Sequence, residues 1–584
     1  MSDRLRPIGD AGPGNGTPLV VGVTSHRNLV PAEIDGLRRR VRALFAHLRE
    51  RFDDLPLVVL SALAEGGDRL VAEEALACGA RLHAVLPLPE ELYIQDFVSP
   101  ESREQFFELQ SRATVLSMPL LERGSGSAIA SPGTQRDAQY AAAGIFIASH
   151  CHLLLAIWDG RSSQLHGGTA QVVRYHLEGI LPGTIERRRV ARPLLDRGDE
   201  SLLCHLACSR DIGSEGIQPP ASPHRPLDMR WVSQQHDQPF DQGIPDEYAC
   251  MFQRMVEFNR DLMRYALSMG DLPLRHDGPG SGHIERLFRA ADWLAIHFQK
   301  RVLLAMRGIH VLAALMGIAF VAYSDLPGHL GNQPVMIDLF IAFFLSGFVL
   351  DRVARHRDWH RKYIDYRALA EGLRVQLHWH TAGIVGAESV AFAHDNFLQK
   401  QDVELGWIRN VMRAAGLDPG TSFAPDRVRA EIDRAIAEWI GTPDGGGQMG
   451  YYRHKCAERS RAVSTARRMG NMCLWAGIGI GVVLAIFHRT IDNDISTYLV
   501  AAIGVLAIAA AARESYAYRK ADRELIKQYR FMLHLFESAS AALEASSDTR
   551  SRREILQELG DAALAEHAEW ALMHRERPLE HGRL

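Results

Sequence analysis

The sequence predicts two joined architectures: an α/β domain on a doubly wound parallel sheet, then an all-α membrane domain with four transmembrane helices. Three observations carry this. Between residues 18 and 181, short apolar runs without polar alternation recur between amphipathic stretches, the pattern of parallel strands covered on both faces. From residue 246 onward the pattern is helical almost throughout. Four strongly apolar segments stand out there, at 302–323, 335–350, 472–487 and 497–512.

The elements follow in order. Residues 1–17 are rich in Gly and Pro and read as a flexible tail. LVVGVT (19–24) is the first strand, followed by a helix over 32–52. LPLVVLSAL (55–63) is the second, followed by a helix over 69–78, and RLHAVLPL (81–88) is the third. A helix over 102–113, a short strand at 114–118 and a helix over 136–150 lead to HLLLAIW (152–158), with a further helix at 169–178. Strands alternating with helices in this way build a three-layer, doubly wound sheet. Residues 182–247 are rich in Pro, Arg, Asp and Ser and read as a connector or an edge extension, with LLCHLAC (202–208) as one more strand. The helical remainder divides at 248–400, 401–450 and 451–584, with helices at 403–415 and 425–440 and a linker at 441–450.

Composition excludes several classes. The chain has 584 residues, with 66 Lys and Arg against 70 Asp and Glu. A net charge of -4 argues against a nucleic-acid-coating protein. Its 47% hydrophobic and 23% charged residues exclude general disorder. The seven cysteines are scattered without a CxxC pair, so neither a zinc ribbon nor a disulfide framework is expected. The first residues lack an apolar core, so no cleavable signal peptide is predicted.

Charge placement orients the four segments. The turns at 324–334 and 488–496 hold a single Arg between them, whereas the opposite ends are basic. Lys300 and Arg301 precede the first segment, and Arg352, Arg355, Arg357, Arg361 and Lys362 follow the second. Arg461, Arg467 and Arg468 precede the third, and Arg513, Arg519 and Lys520 follow the fourth. This positive-inside pattern, repeated in two hairpins, predicts a multi-pass protein with both termini in the cytoplasm. The last three segments are 16 residues each, slightly short of the roughly 17–25 of a spanning helix. Small residues spaced by four, among them Ala313 with Gly317 and Gly477 with Gly481, permit close helix packing and a homo-oligomer.

Three loops at carboxyl ends of strands carry the candidate site. The first is Gly22, Thr24, Ser25, His26 and Arg27; the hydroxyls and the guanidinium suit a phosphate. The second is Glu65, Gly66, Gly67, Asp68 and Arg69, a glycine turn opening a helix whose amides form an anion site. The third is Asp159 and Gly160, then Gly167, Gly168 and Thr169, a second glycine-opened helix. In a doubly wound sheet these loops converge on one crevice, so a nucleotide-derived ligand is expected. No metal ligand set and no cofactor motif is found. His356 and His360 have the i,i+4 spacing of a metal pair but lack a third ligand.

VGVTSHRNL, VVLSALAEGGDRLVAEEALACGARLHAVLPLPEELYIQDF, RDAQYAAAGIFIASHCHLLLAIWDG and GGTA resemble, in that order, the SLOG superfamily. That Rossmann-like group includes the Lonely-Guy enzymes and the DNA-processing protein A family. The paired hairpins, with WHRKYIDYRALAEGLR (359–374) and AEHAEWALMHRERP (565–578), are similar to the SLATT family of two-span membrane effectors. These resemblances imply a bacterial inner-membrane effector: a cytoplasmic SLOG-type domain senses a nucleotide-derived signal and controls a pore-forming or membrane-disrupting helical domain in anti-phage defence. They also imply a functional link to a nucleotidyltransferase that makes the signal. Where Lonely-Guy enzymes carry PGGxGTxxE, this chain has HGGTAQVVR (166–174), with Val172 at the glutamate position, so no catalytic residue is assigned. The alternatives are a membrane-tethered glycosidic hydrolase of nucleotides or NAD-type molecules, and a constitutive channel or structural membrane protein with a degenerate SLOG domain.

Overall fold

The computed structural model describes residues 16–97, 99–121, 129–163, 167–179, 201–270, 272, 274–276, 279–325, 333–384, 393, 397–398, 403–417, 425–442, 445–487, 489–520 and 522–575. They form two compact units that interleave along the chain. The first unit takes in the chain up to residue 293, then 367–432 and 556–572; the second takes 294–366, 433–555 and the remainder.

The first unit is built on one sheet, whose strands are β1 (Leu19–Ser25), β2 (Leu57–Ser61), β3 (Arg81–Leu86), β4 (Ala113–Ser117), β5 (Leu153–Trp158) and β6 (Leu202–Ala207). These six pair in parallel. β7 (Arg210–Asp211) and β8 (Ile217–Gln218) form a small separate hairpin, and β9 (Met229–Val232) and β10 (Asp237–Pro239) extend the sheet antiparallel from β6. The order is β10-β9-β6-β5-β1-β2-β3-β4. Of the two readings of 182–247, the edge extension fits the structure: the expected strand at 202–208 is β6, and β9 and β10, not foreseen, carry the sheet on to Pro239.

Helices alternate with the strands: α1 (Ile34–Arg51), α2 (Gly67–Ala77), the short α3 (Glu90–Tyr93), α4 (Pro100–Ser111), α5 (Thr134–His150) and α6 (Thr169–Glu178). The Ser99 side chain caps α4 by accepting the Ser102 amide, and Pro100 supplies the preset first turn. On one face Val20, Leu60, Leu154 and Ala156 pack with Phe146 of α5 and Val172 and Tyr175 of α6. The alternate residues Leu19, Val21, Val59 and Leu155 are also fully buried, so both faces are covered. α7 (Asp246–Met269) follows, and α8 (Pro279–Asp325), α9 (Gln333–His356) and α10 (Trp359–Thr381) continue the helical half. α11 (Gly406–Ala415), expected only as a helix between the hairpins, lies against α5 and α7. There the His152 Nδ1 accepts the Val20 amide at 3.1 Å while its Nε2 lies 2.8 Å from the Asn410 carbonyl.

The second unit is helical. Beyond its parts of α8, α9 and α10 it holds the end of α12 (Pro425–Ala435), then α13 (Gly447–Phe487), α14 (Asn493–Lys520), α15 (Asp522–Ala545) and the start of α16 (Thr549–Arg575). The linker expected at 441–450 is shorter than its glycines suggest, because α13 starts at Gly447. Among the described residues four helical stretches each contain an 18-residue window apolar enough to cross a membrane: Ser281–Asp325, Gln333–Thr381, Gly447–Phe487 and Asn493–Tyr518. Their mean hydropathy lies between 1.9 and 2.2 over the richest 18-residue windows, of which 28%, 0%, 0% and 6% is buried. Phe348, Trp475 and Ile486, each 60% exposed or more, belong to this uncovered apolar surface. Such a surface is stable against lipid and not against water. Close packing is confined to specific lines: a Cβ at Gly317 would lie 3.0 Å from Ile508, and one at Gly504 would lie 3.2 Å from Val321. Gly477 and Gly481 face open space.

Candidate ligand crevice

The chain runs outward from β1 through β2, β3 and β4, then returns to place β5 on the other side of β1. Strand order therefore reverses between β1 and β5, where the connections leave in opposite directions and open a crevice beyond the carboxyl ends. Parallel register sets Ser25 beside Ile157, so the loops after β1 and β5 start level with each other.

The loops are tied together by specific bonds. The Ser25 hydroxyl donates to the Asp68 carboxylate at 2.6 Å, and the Thr169 hydroxyl donates to the Ser25 carbonyl at 2.8 Å. The His26 amide donates to the Ile157 carbonyl, and the Gly67 amide donates to the His26 carbonyl. The His26 Nε2 lies 3.1 Å from Asp159, whose other oxygen is 3.8 Å from Arg210. The Arg27 guanidinium lies 6.0 Å from the centre of the Tyr140 ring. Gly66 has φ +86°, and a Cβ there would meet the Arg27 carbonyl oxygen at 2.2 Å, so only glycine allows this approach of the first two loops. Gly167 has φ +74° and passes close to Tyr140; its amide donates to the Gln171 side chain, and Gly168 caps α6.

Other expected contacts serve the fold instead. Gly22 makes room for α5: a Cβ there would lie 2.9 Å from Cys151 and Ile147. Thr24 sits inside the sheet beside Ala156. Arg69 is 2% exposed; its guanidinium donates to the Leu63 and Ser102 carbonyls and stacks 4.4 Å from the Phe97 ring centre. Glu65 accepts a bond from the Ser102 hydroxyl. Gly160, at φ +76°, turns the chain beside Ala221 and His224. Val172 is buried, with a Cβ at Gly144 falling 2.5 Å from its methyl, so this position faces the helix packing.

Sequence reasoning missed four residues, Asp96, Arg136, Tyr140 and Arg210. Arg136 donates to Asp96 at 2.7 Å, and the Tyr140 hydroxyl also donates to Asp96. Arg136 and Tyr140 share one face of α5 at i,i+4 spacing, which was the available signal. Arg210 comes from the segment read as a connector or edge extension.

The electrostatics are mixed. Burial pushes the Asp68 carboxyl up to about 6, against the opposing pull of the Ser25 hydroxyl and Arg27. Burial works against Asp159 as well, but His26, the Arg161 amide and Arg210 overcome it and hold this carboxyl below its usual range. Burial also disfavours the Arg27 charge, which Tyr93, Tyr140, Asp96 and Asp68 more than restore. The crevice thus combines one firmly held guanidinium, the first-turn amides of α2 and α6, and two carboxyl groups of opposite tendency. Among the described residues no group of three His, Cys, Asp or Glu side chains is placed to hold a metal ion. His360 bonds to the His574 carbonyl at 3.0 Å.

Fold and site together define a membrane protein whose Rossmann-like sheet carries a polar crevice at its switch point. No protein-family model and no curated protein matches the chain.

Proposed function

We propose that the protein is a ligand-gated membrane effector whose Rossmann-like unit, of SLOG type, senses a nucleotide-derived signal and controls a pore-forming or membrane-disrupting set of helices. The observation that carries this reading is the meeting of three loops at the β1/β5 switch point, with Arg27 and two glycine-opened helices, in a chain that also holds four apolar helices. A phosphate suits the Arg27 guanidinium and the first amides of α6, and a ribose suits Asp159 or Asp68. The signal acts by population shift, binding one arrangement of a homo-oligomer more tightly than another. α8 and α10 each contribute residues to both units and are the proposed route of coupling. The role is defence at the bacterial inner membrane, with both termini in the cytoplasm, beside a nucleotidyltransferase that makes the signal. The basic flanks of the four segments support the orientation.

The test is dye release from liposomes holding the full chain, with and without cyclic and linear oligonucleotide signals. Release that rises with nucleotide and is lost in Arg27→Ala supports the reading. Release independent of nucleotide and untouched by Arg27→Ala refutes it. Alkaline phosphatase fused after Asp492 is active if the orientation is right and inactive if it is reversed.

A second reading, a membrane-tethered nucleotide hydrolase, is favoured by one observation, that adjacent residues of the first loop hold two carboxyl groups, Ser25 bonding Asp68 and His26 pairing with Asp159. A carboxyl group near 6 has the poise of a general acid. Glycosidic cleavage of nucleotides, abolished by Asp68→Ala, distinguishes this from sensing alone.

A further inference from the structure

A second ligand-sized space in the first unit lies at the amino ends of the strands, opposite the crevice. Leu57 opens β2 and Arg81 opens β3, and both line a cavity of about 810 Å³. That volume falls within the roughly 300–1,000 Å³ of small-molecule sites. One wall is a face of α7: Leu262, Met263, Ala266 and Met269 recur at helical spacing. Phe52 and Leu287 face the same space. Met263 is 61% exposed, so this wall reaches solvent, and its methionines adapt readily to a flexible chain.

The polar lining is basic. Arg49, Arg81, Arg286 and His283 all contribute. The Arg286 Nε is buried without a hydrogen-bond partner among the described residues. Neither Arg81 nor Arg286 forms an ion pair among the described residues. Burial pushes the His283 imidazole down to about 4, and Arg286 and Arg81 push it the same way, so the three basic groups share one space. Two acids, Asp53 and Asp54, also line the cavity, but Arg260 holds Asp54 at 2.5 Å and Asp53 at 3.9 Å. Asn259 is spent on the Thr17 and Asp54 backbone. What remains is an apolar pocket with the buried, unpartnered Nε of Arg286 inside it and the exposed Arg81 guanidinium, without an ion pair among the described residues, at its rim. Unpaired charge beside buried apolar surface is costly unless an anion completes it.

We propose that this cavity binds a single-chain anionic amphiphile, a long-chain carboxylate, with its chain along the α7 face and its head on Arg81 and Arg286. A nucleotide would leave the apolar wall uncovered, and a neutral lipid would leave the guanidinium groups unpaired. A carboxylate suits a guanidinium fork, and each methylene buried against α7 adds favourable transfer free energy. In a protein with membrane-crossing helices, such an occupant reports on lipid state at a site separate from the switch-point crevice.

The test uses the full chain in nanodiscs of zwitterionic lipid, with radiolabelled palmitate as the probe and methyl palmitate and inorganic phosphate as competitors. Saturable palmitate binding is expected, weakened about tenfold by Arg81→Gln or Arg286→Gln. Methyl palmitate competes about tenfold less well, since it lacks the charge. Ala266→Trp fills the cavity and abolishes saturable binding, while Arg81→Gln, at an exposed strand start, keeps the fold as a control. Uptake that does not saturate, or that is equal for acid, ester and all variants, is bilayer partitioning and overturns the proposal. Displacement of palmitate by an equal concentration of phosphate points to a small polar anion and also overturns it.

Discussion

The Ser25 hydroxyl donates a 2.6 Å hydrogen bond to the Asp68 carboxylate, joining the last residue of β1 to the first turn of α2. The bond satisfies one lone pair of a carboxyl group that is only 4% exposed, but it does not offset burial, and the carboxyl stays up at about 6. The native protein therefore binds more protons than the unfolded chain between about pH 4 and about pH 6. Stability falls as pH rises across that window and stays level above it. Ionised Asp68 costs about 3 kcal/mol at neutral pH. Asp68→Asn keeps the oxygen that accepts from Ser25 and removes the charge. Its thermal midpoint is expected to gain on the parent between pH 4 and 6 and to remain higher at pH 7. Parallel pH profiles for the two proteins would refute the burial account.

How much of this was legible in the sequence depends on which force shaped each element. β1, β2 and β5 were legible because a strand buried on both faces is apolar along nearly its whole length, as in LVVGVT and HLLLAIW. β9 and β10 were not: MRWV alternates and Asp237–Pro239 is polar, so only pairing with β6 makes them strands. α11 was read as a helix, but nothing local says that Asn410 meets His152. In the site, Ser25, His26, Asp68 and Asp159 were found because glycine-rich turns after strands announce the crevice. Arg69 was grouped with them by position in the loop, yet it lies inside α2, and helical geometry turns it onto Phe97. Asp96 and Tyr140 lie 44 residues apart, and no local motif links them.

Gly66 provides a direct test of the loop geometry. Its φ is +86° and a Cβ would fall 2.2 Å from the Arg27 carbonyl, a distance no side chain tolerates. Gly213 shares the positive φ, +64°, but faces open space. Gly213→Ala therefore measures backbone strain alone, about 1 kcal/mol. Gly66→Ala adds a backbone collision and is expected to cost at least about 2 kcal/mol more, with loss of the β1 loop position. Urea unfolding of both variants in the full chain checks this; equal losses would mean that the loops do not approach as described.

The first and fourth apolar segments pack directly, and this is testable by cross-linking. A Cβ at Gly504 would lie 3.9 Å from the Val321 Cβ. That matches the roughly 3.5–4.5 Å between the Cβ atoms of a disulfide. Val321→Cys with Gly504→Cys, in a chain whose Cys473 is replaced by Ser, is expected to oxidise to an intramolecular disulfide. Mass spectrometry of the linked peptides identifies it. Gly477→Cys with Gly504→Cys serves as the comparison, because Gly477 has no atom within 4 Å of its Cβ position. Equal yields from both pairs would show that oxidation follows collision in the membrane and not the packing line.

Glu285 reverses the sign found at Asp68. It is 1% exposed, and burial alone would raise its carboxyl. It accepts instead from the amides of Arg275 and His276 at 2.8 and 2.9 Å and from the Arg289 guanidinium at 2.8 Å, with the His276 Nδ1 at 3.0 Å. These partners bring it down to about 2. The carboxylate therefore contributes stability above the ordinary value near 4.5, and that contribution is lost as pH falls from there toward about 2. The pairing is worth about 3 kcal/mol at neutral pH. Glu285→Gln is expected to lower stability by that order at pH 7, since the amide cannot hold the Arg289 charge or satisfy all the donors. The gap to the parent should narrow below about pH 4 and close near pH 2. Because Glu285 fastens the start of α8 to the loop before it, hydrogen exchange of the Arg275 and His276 amides should rise in the variant at pH 7. A stability gap independent of pH would mean that lost packing, and not the charge, sets the cost.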